Sequence, residues 1–161
     1  MTVPPRERAT VAARPHALVV TDDRGLKEFL AEGLMYGGFW TSSVASALQT
    51  LEVFRLRSFD LVLVDAHLGG MGALELVRRL RGRSNRGAQA ARTDVPILLV
   101  TDEPAGADPL GASEAGADAI LTAPIELEEI IPRLHQIVDD WRARHPGRPM
   151  ADAAAQAKPD I

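Results

Sequence analysis

Aspartates and threonines stand at the ends of the apolar runs in this 161-residue chain. Thr21-Asp22-Asp23 follows Ala17 to Val20, and Asp65 closes the run from Asp60 to Val64. Thr101-Asp102 follows Val95 to Val100, and Thr122-Ala123-Pro124 closes the run from Asp118. If these runs are strands of one open parallel sheet, their carboxyl ends share the edge at which such sheets bind ligands. Several carboxylates and a hydroxyl then converge on one site. Other chemistries are excluded or lack a motif. There is no cysteine, which rules out disulfides, thiolate catalysis and cysteine metal sites. Gly69-Gly70 and Gly72 form no phosphate-cradling loop of a known spacing, and His16, His135 and His145 lie too far apart in sequence to suggest a metal set. Each residue also has a plainer reading. Asp65 could cap the loop after its strand, Asp22 and Asp23 could open a helix where acids favour the N-terminus, Thr101 could be a loop hydroxyl, and His67 could simply face solvent.

The elements that must position these groups alternate. Leu26, Phe29, Leu30 and Leu34 recur at helical spacing before a stop at Gly37-Gly38. Residues 39–44 read as a weak strand, and 45–56 as a helix carrying Leu48, Leu51 and Val53-Phe54. Leu74, Val77 and Leu80 mark a helix over 72–81, followed by a polar, exposed loop over 82–94. A short Ala- and Gly-rich helix is expected over 108–115. A long amphipathic helix over 126–142 carries Pro132, which could offset or kink its first turn. Strands that are apolar throughout are buried on both faces, the mark of a parallel sheet covered by helices on both sides. The expected fold is therefore α/β and doubly wound, with five parallel strands.

Composition agrees with one domain plus tails. The chain is 46% hydrophobic and 25% charged, with a net charge of −4, which suits a globular protein and gives no electrostatic footprint for direct nucleic-acid binding. Arg-rich stretches over 78–86 and 142–148 read as solvated ends, and only a clustered face would change that. No apolar run is long enough to span a membrane, and the proline- and charge-bearing N-terminus is unlike a signal peptide. A cytoplasmic location is expected. Residues 1–14 and 145–161 read as disordered tails flanking a domain over 15–144.

The blocks LVVTDD (18–23), DLVLVDAHLGGMGALELVRRLR (60–81), VPILLVTDE (95–103) and AGADAILTAPIELEEI (115–130) resemble, in order and spacing, the receiver domains of response regulators. The resemblance covers about residues 16–138. It implies a flavodoxin-like fold with strand order 2-1-3-4-5 and a module that is not itself an enzyme. By that resemblance Asp65 is the phosphoacceptor, taking a phosphoryl group from a histidine kinase or phosphotransfer protein. Thr101 contacts the phosphoryl group through its hydroxyl, and Pro124 follows a cis peptide. Asp22, Asp23, Asp65 and the His67 carbonyl are the implied ligands of a Mg²⁺ ion.

The chain also departs from the family pattern. Thr21 stands where the acidic pair normally begins, and Ala123 where a lysine precedes the proline. Asp102 replaces a small residue, and Ile120 replaces an aromatic. A like charge about 4 Å from an incoming phosphate costs on the order of 4 kcal/mol at an effective dielectric of about 20. The Mg²⁺ site is accordingly expected to be weakened. Two functions follow. One is a stand-alone receiver that signals to an unidentified downstream protein through a surface around 106–142, since too few residues follow 145 for a DNA-binding module. The other is a receiver-like interaction or homodimerisation module that is never phosphorylated.

Overall fold

The structure is a computed structural model, and it describes residues 14–84, 92–102 and 109–151. Five strands, β1 (His16–Val20), β2 (Trp40–Val44), β3 (Leu61–Asp65), β4 (Ile97–Thr101) and β5 (Ala119–Thr122), alternate with five helices. These are α1 (Arg24–Tyr36), α2 (Ala47–Leu56), α3 (Ala73–Leu80), α4 (Pro109–Ala115) and α5 (Leu127–Arg144). The strands form one parallel sheet in the order β2-β1-β3-β4-β5, as the apolar runs predict.

Alternation along each strand separates two cores. Leu18 and Val20 of β1, with Val62 and Val64 of β3, pack on α3 residues Leu76, Val77 and Leu80. Ala17 and Val19, with Leu61 and Leu63, pack on Leu30 and Leu34 of α1 and on Leu134 and Val138 of α5. These side chains are almost wholly buried, and each leucine and valine is worth about 1.5–3 kcal/mol on leaving water. Helices α1 and α5 approach closely because Gly33 and Gly37 lack side chains. A Cβ at Gly33 would lie 2.7 Å from Leu127, and one at Gly37 2.6 Å from Ile131.

Several boundaries differ from the sequence reading for local reasons. Helix α2 starts two residues late because Ser46 caps it, its hydroxyl accepting the Gln49 N–H. Its inner face is Ala47 and Thr50, with Leu51, Val53 and Phe54 partly buried behind them, while Leu48 is exposed. Pro132 does not break α5. The bond its missing N–H forfeits would fall to the carbonyl of Glu128, an exposed first-turn residue. Residues 1–13, 85–91, 103–108 and 152–161 lie outside the described residues, and with them the expected N-terminal tail, the middle of the 82–94 loop and the end of the C-terminal tail.

The start of that C-terminal tail differs most from expectation. Residues 145–151 fold back under the sheet and do not leave it. His145 stacks on Trp141, and Arg148 lies over the same ring while forming two bonds to Asp94, at 2.8 and 3.1 Å. The Ala151 N–H reaches the buried Asp60 carboxylate at 3.1 Å. The same carboxylate accepts the His16 N–H at 2.7 Å, so Asp60 joins the tail to the start of β1. Two aromatic contacts and a buried acceptor outweigh the weak local propensity of HPGRPMA.

Burial pushes the carboxyl of Asp60 above the usual carboxylate range, partly offset by those N–H donors. His16 is lowered to about 4 by burial and by the Arg57 charge. Its folded value lies below its unfolded value of 6.5, so the unfolded chain binds more protons between the two. The His16 contribution is therefore present above pH 6.5 and lost as pH falls to about 4, on the order of 3 kcal/mol in all. The raised Asp60 acts in the opposite sense. Urea unfolding of the wild type and of His16→Gln from pH 7.5 to 4 is expected to converge as pH falls. Parallel curves would show that His16 does not titrate in this way. Asp60→Ala strands two buried N–H groups and is expected to cost about 1–3 kcal/mol, read as a lower urea midpoint.

Candidate functional site

The parallel register places the site. Val20 of β1 lies beside Val64 of β3, so the next residues, Thr21 and Asp65, face each other where the strands end. Both are buried, at 2% and 6% exposure. The Thr21 hydroxyl donates to Asp65 Oδ2 at 2.6 Å, and the His67 N–H donates to Asp65 Oδ1 at 2.9 Å. Both carboxylate oxygens therefore have a protein donor. The Thr21 oxygen also accepts the Asp23 N–H at 3.0 Å, which turns the chain from β1 into the loop before α1.

Asp23 does not face the acceptor. Its side chain caps α1 by accepting the Leu26 N–H at 3.1 Å. Asp22 reaches across to the loop after β3 and accepts the Gly69 N–H at 3.3 Å. That loop turns through Gly70 and Gly72 at φ +69° and +86°, left-handed values that glycine adopts without a Cβ penalty. Thr101 is 3% exposed at the end of β4, one residue past the Val100 that pairs with Asp65. Its carbonyl accepts the Ala123 N–H at 2.7 Å, which ties the end of β4 to the cis Ala123–Pro124 peptide.

Asp102 bears on the site differently from its sequence reading. Its side chain is 70% exposed and meets His67 Nε2 at 3.0 Å. Its charge is therefore shared with solvent and an imidazole partner. His67 contributes its ring as well as its backbone. Neither the Thr21–Asp65 bond nor the His67–Asp102 pair was read from the sequence. The first was implicit in the apolar register of β1 and β3 once their adjacency is known. The second joins residues 35 apart and has no local signal.

The implied Mg²⁺ site can be tested against these contacts. Mg²⁺ takes near-octahedral oxygen ligation. Of the four implied ligands, Asp23 is occupied as a helix cap, Asp22 holds a backbone N–H, and both oxygens of Asp65 already accept protein donors. Among the described residues no three His, Cys, Asp or Glu side chains are grouped so as to hold a metal ion. Of the expected set Asp22, Asp23, Asp65 and His67, Asp23 is taken up as the cap of α1, while the oxygens of Asp22 and Asp65 each keep a lone pair beyond the bond they accept, so these two carboxylates with the His67 carbonyl are the groups that would hold the ion.

Residues 17–135 match the response regulator receiver domain family. The chain is similar to the transcriptional regulatory protein TctD of Salmonella typhimurium, 32% identical over 121 residues that cover 75% of this chain and 50% of that protein. It spans about half the length, or less, of the curated relatives it matches. The receiver domain of the TMAO respiratory system response regulator TorR is 31% identical, with a TM-score of 0.65, covering 80% of this chain and 98% of that one. The receiver domain of sensor histidine kinase PA1611 from Pseudomonas aeruginosa PAO1, 21% identical with a TM-score of 0.67, covers 79% and 99% and carries a magnesium ion in its active-site cleft.

Removing the Thr21 hydroxyl leaves a buried carboxylate oxygen without its donor. Thr21→Val is expected to lose about 1.5–3 kcal/mol of stability, read by urea unfolding at pH 7.5, while Thr21→Ser retains most of it. Equal stability of all three proteins would show that the 2.6 Å bond contributes nothing.

Proposed function

The chain belongs to the response-regulator receiver domain family, and on that footing we propose that it is the receiver of a two-component phosphorelay, accepting a phosphoryl group on Asp65 and signalling through protein–protein contacts. The observation that carries this reading is the place of Asp65, a carboxylate at the tip of the central strand β3 with the Thr101 hydroxyl group at the tip of the next strand. A carboxylate oxygen would attack the phosphorus of a partner's phosphohistidine, breaking the P–N bond and forming an acyl phosphate. The Thr21 hydroxyl and the His67 N–H are donors already aimed at the two oxygens. Charge-assisted bonds to the phosphoryl oxygens are the main source of rate in such transfers. Ala123 offers none, and of the two lysines Lys27 is on α1. Acceptance is accordingly expected to be slow.

A second reading is favoured by the Thr21–Asp65 bond and by the use of Asp23 as a helix cap. On it, the fold is a constitutive interaction module in which Asp65 is a structural acceptor.

One experiment separates the two. The full chain is incubated with Mg²⁺ and a small phosphodonor, and its intact mass is measured. A labile phosphoryl addition that is absent in Asp65→Asn supports the phosphoacceptor reading. No addition under conditions that label an ordinary receiver supports the second. If phosphoryl acceptance is limited by missing positive charge, Ala123→Lys raises the labelling rate at least tenfold.

A further inference from the structure

The pole of the sheet opposite Asp65 holds a cavity of about 770 Å³, within the size range of small-molecule sites. Its walls are the residues that enter the strands: Ser58–Asp60 before β3, Thr93–Val95 before β4, and Gly116 and Asp118 before β5. Five arginines line it, Arg57, Arg81, Arg83, Arg92 and Arg148, against three aspartates. The two Arg-rich stretches of the sequence thus meet on one face, the arrangement that would distinguish a site from solvated helix ends.

The aspartates already have protein partners. Asp118 accepts Arg81 Nη2 at 2.8 Å and the Ile97 N–H at 2.9 Å. Asp94 takes both bonds from Arg148, which hold its carboxyl below the usual range. Asp60 accepts the backbone N–H groups of His16 and Ala151. Arg81 gives its remaining nitrogens to the carbonyls of Gly116 and Thr93, so Arg81 and Arg148 are the frame of the cavity. Arg83 spends one nitrogen on the Glu114 carbonyl. Arg92 lies over Gly82, where a Cβ would stand 2.7 Å from its Nε, and this brings it next to Arg81 and Arg83. Among the described residues, neither Arg83 nor Arg92 forms an ion pair with a carboxylate.

We propose that this cavity is an anion-binding site for a multiply charged phosphate group, with Arg83 and Arg92 as the residues that contact it and Arg81 and Arg148 as the frame that positions them. Guanidinium forks match phosphate oxygens in pairs, and a dianion there would answer the charges of both Arg83 and Arg92. Because the lining includes Arg148, Pro149 and Ala151, an occupant would also touch the C-terminal strap, at the far end of the sheet from the phosphoacceptor.

The test is isothermal titration of the full chain with inorganic pyrophosphate at low salt. Saturable one-to-one binding is expected, weakened at least tenfold in the Arg83→Glu/Arg92→Glu double variant and by a tenfold rise in salt, and unchanged in Asp65→Asn. Circular dichroism melting of the double variant controls for folding. No saturable binding at millimolar pyrophosphate, or equal affinity in the double variant, overturns the proposal. An acidic peptide that binds this face more tightly than pyrophosphate also overturns it, in favour of a protein partner. Tighter binding in Asp65→Asn, where a carboxylate that repels an anion is removed, would place the anion at the other pole and likewise overturn it.

Discussion

The constraint on which this molecule rests is the burial of β1 and β3 from both faces of a parallel sheet. Every residue of those strands must be apolar or paired, and neighbouring strands must run in register so that both helix layers find a flat surface. Polar groups are then tolerated only where the strands emerge. At the carboxyl edge that means Thr21, Asp65 and Thr101; at the amino edge it means His16 and Asp60. Both poles of the domain are built from the same requirement, that a nearly buried polar group must find its partner on the next strand or loop.

At the carboxyl edge this requirement produced a compact acceptor. Asp65 is held by a hydroxyl on one side and a backbone amide on the other, and the acids that might have gathered round it are engaged elsewhere. Asp23 caps a helix, Asp22 fastens the glycine loop, and Asp102 turns outward to His67. Each acid at this edge is thus held by a different element of the receiver fold.

At the amino edge the strap over 145–151 closes the domain. Trp141 is central to it. The indole N–H binds the Asp94 carbonyl at 2.9 Å, its ring stacks against His145 and Arg148, and it joins the core beneath the α3 side of the sheet. The final turn of α5 and the strap behave as one packed unit. Composition pointed to a tail here because proline, glycine and small residues give no periodicity. The packing comes from three long side chains and one buried carboxylate that no local window contains.

Apolar continuity and the residues at the ends of the runs determined, from the chain alone, the buried strands β1, β3 and β4 and the shared edge of Asp65, Asp22 and Thr101, whereas the more polar β2 (WTSSV) was legible only weakly. Those properties are local, because burial on both faces is written in each segment's own composition. Tertiary structure decided which donor each acid meets, since side-chain partners 44 to 91 residues apart depend on strand order and register. It also decided that the Thr21 hydroxyl bonds Asp65, that Asp23 serves a helix, and that two separate arginine stretches share a cavity. Charge and hydrogen bonding act through space over a few ångströms, and only the folded chain sets those distances.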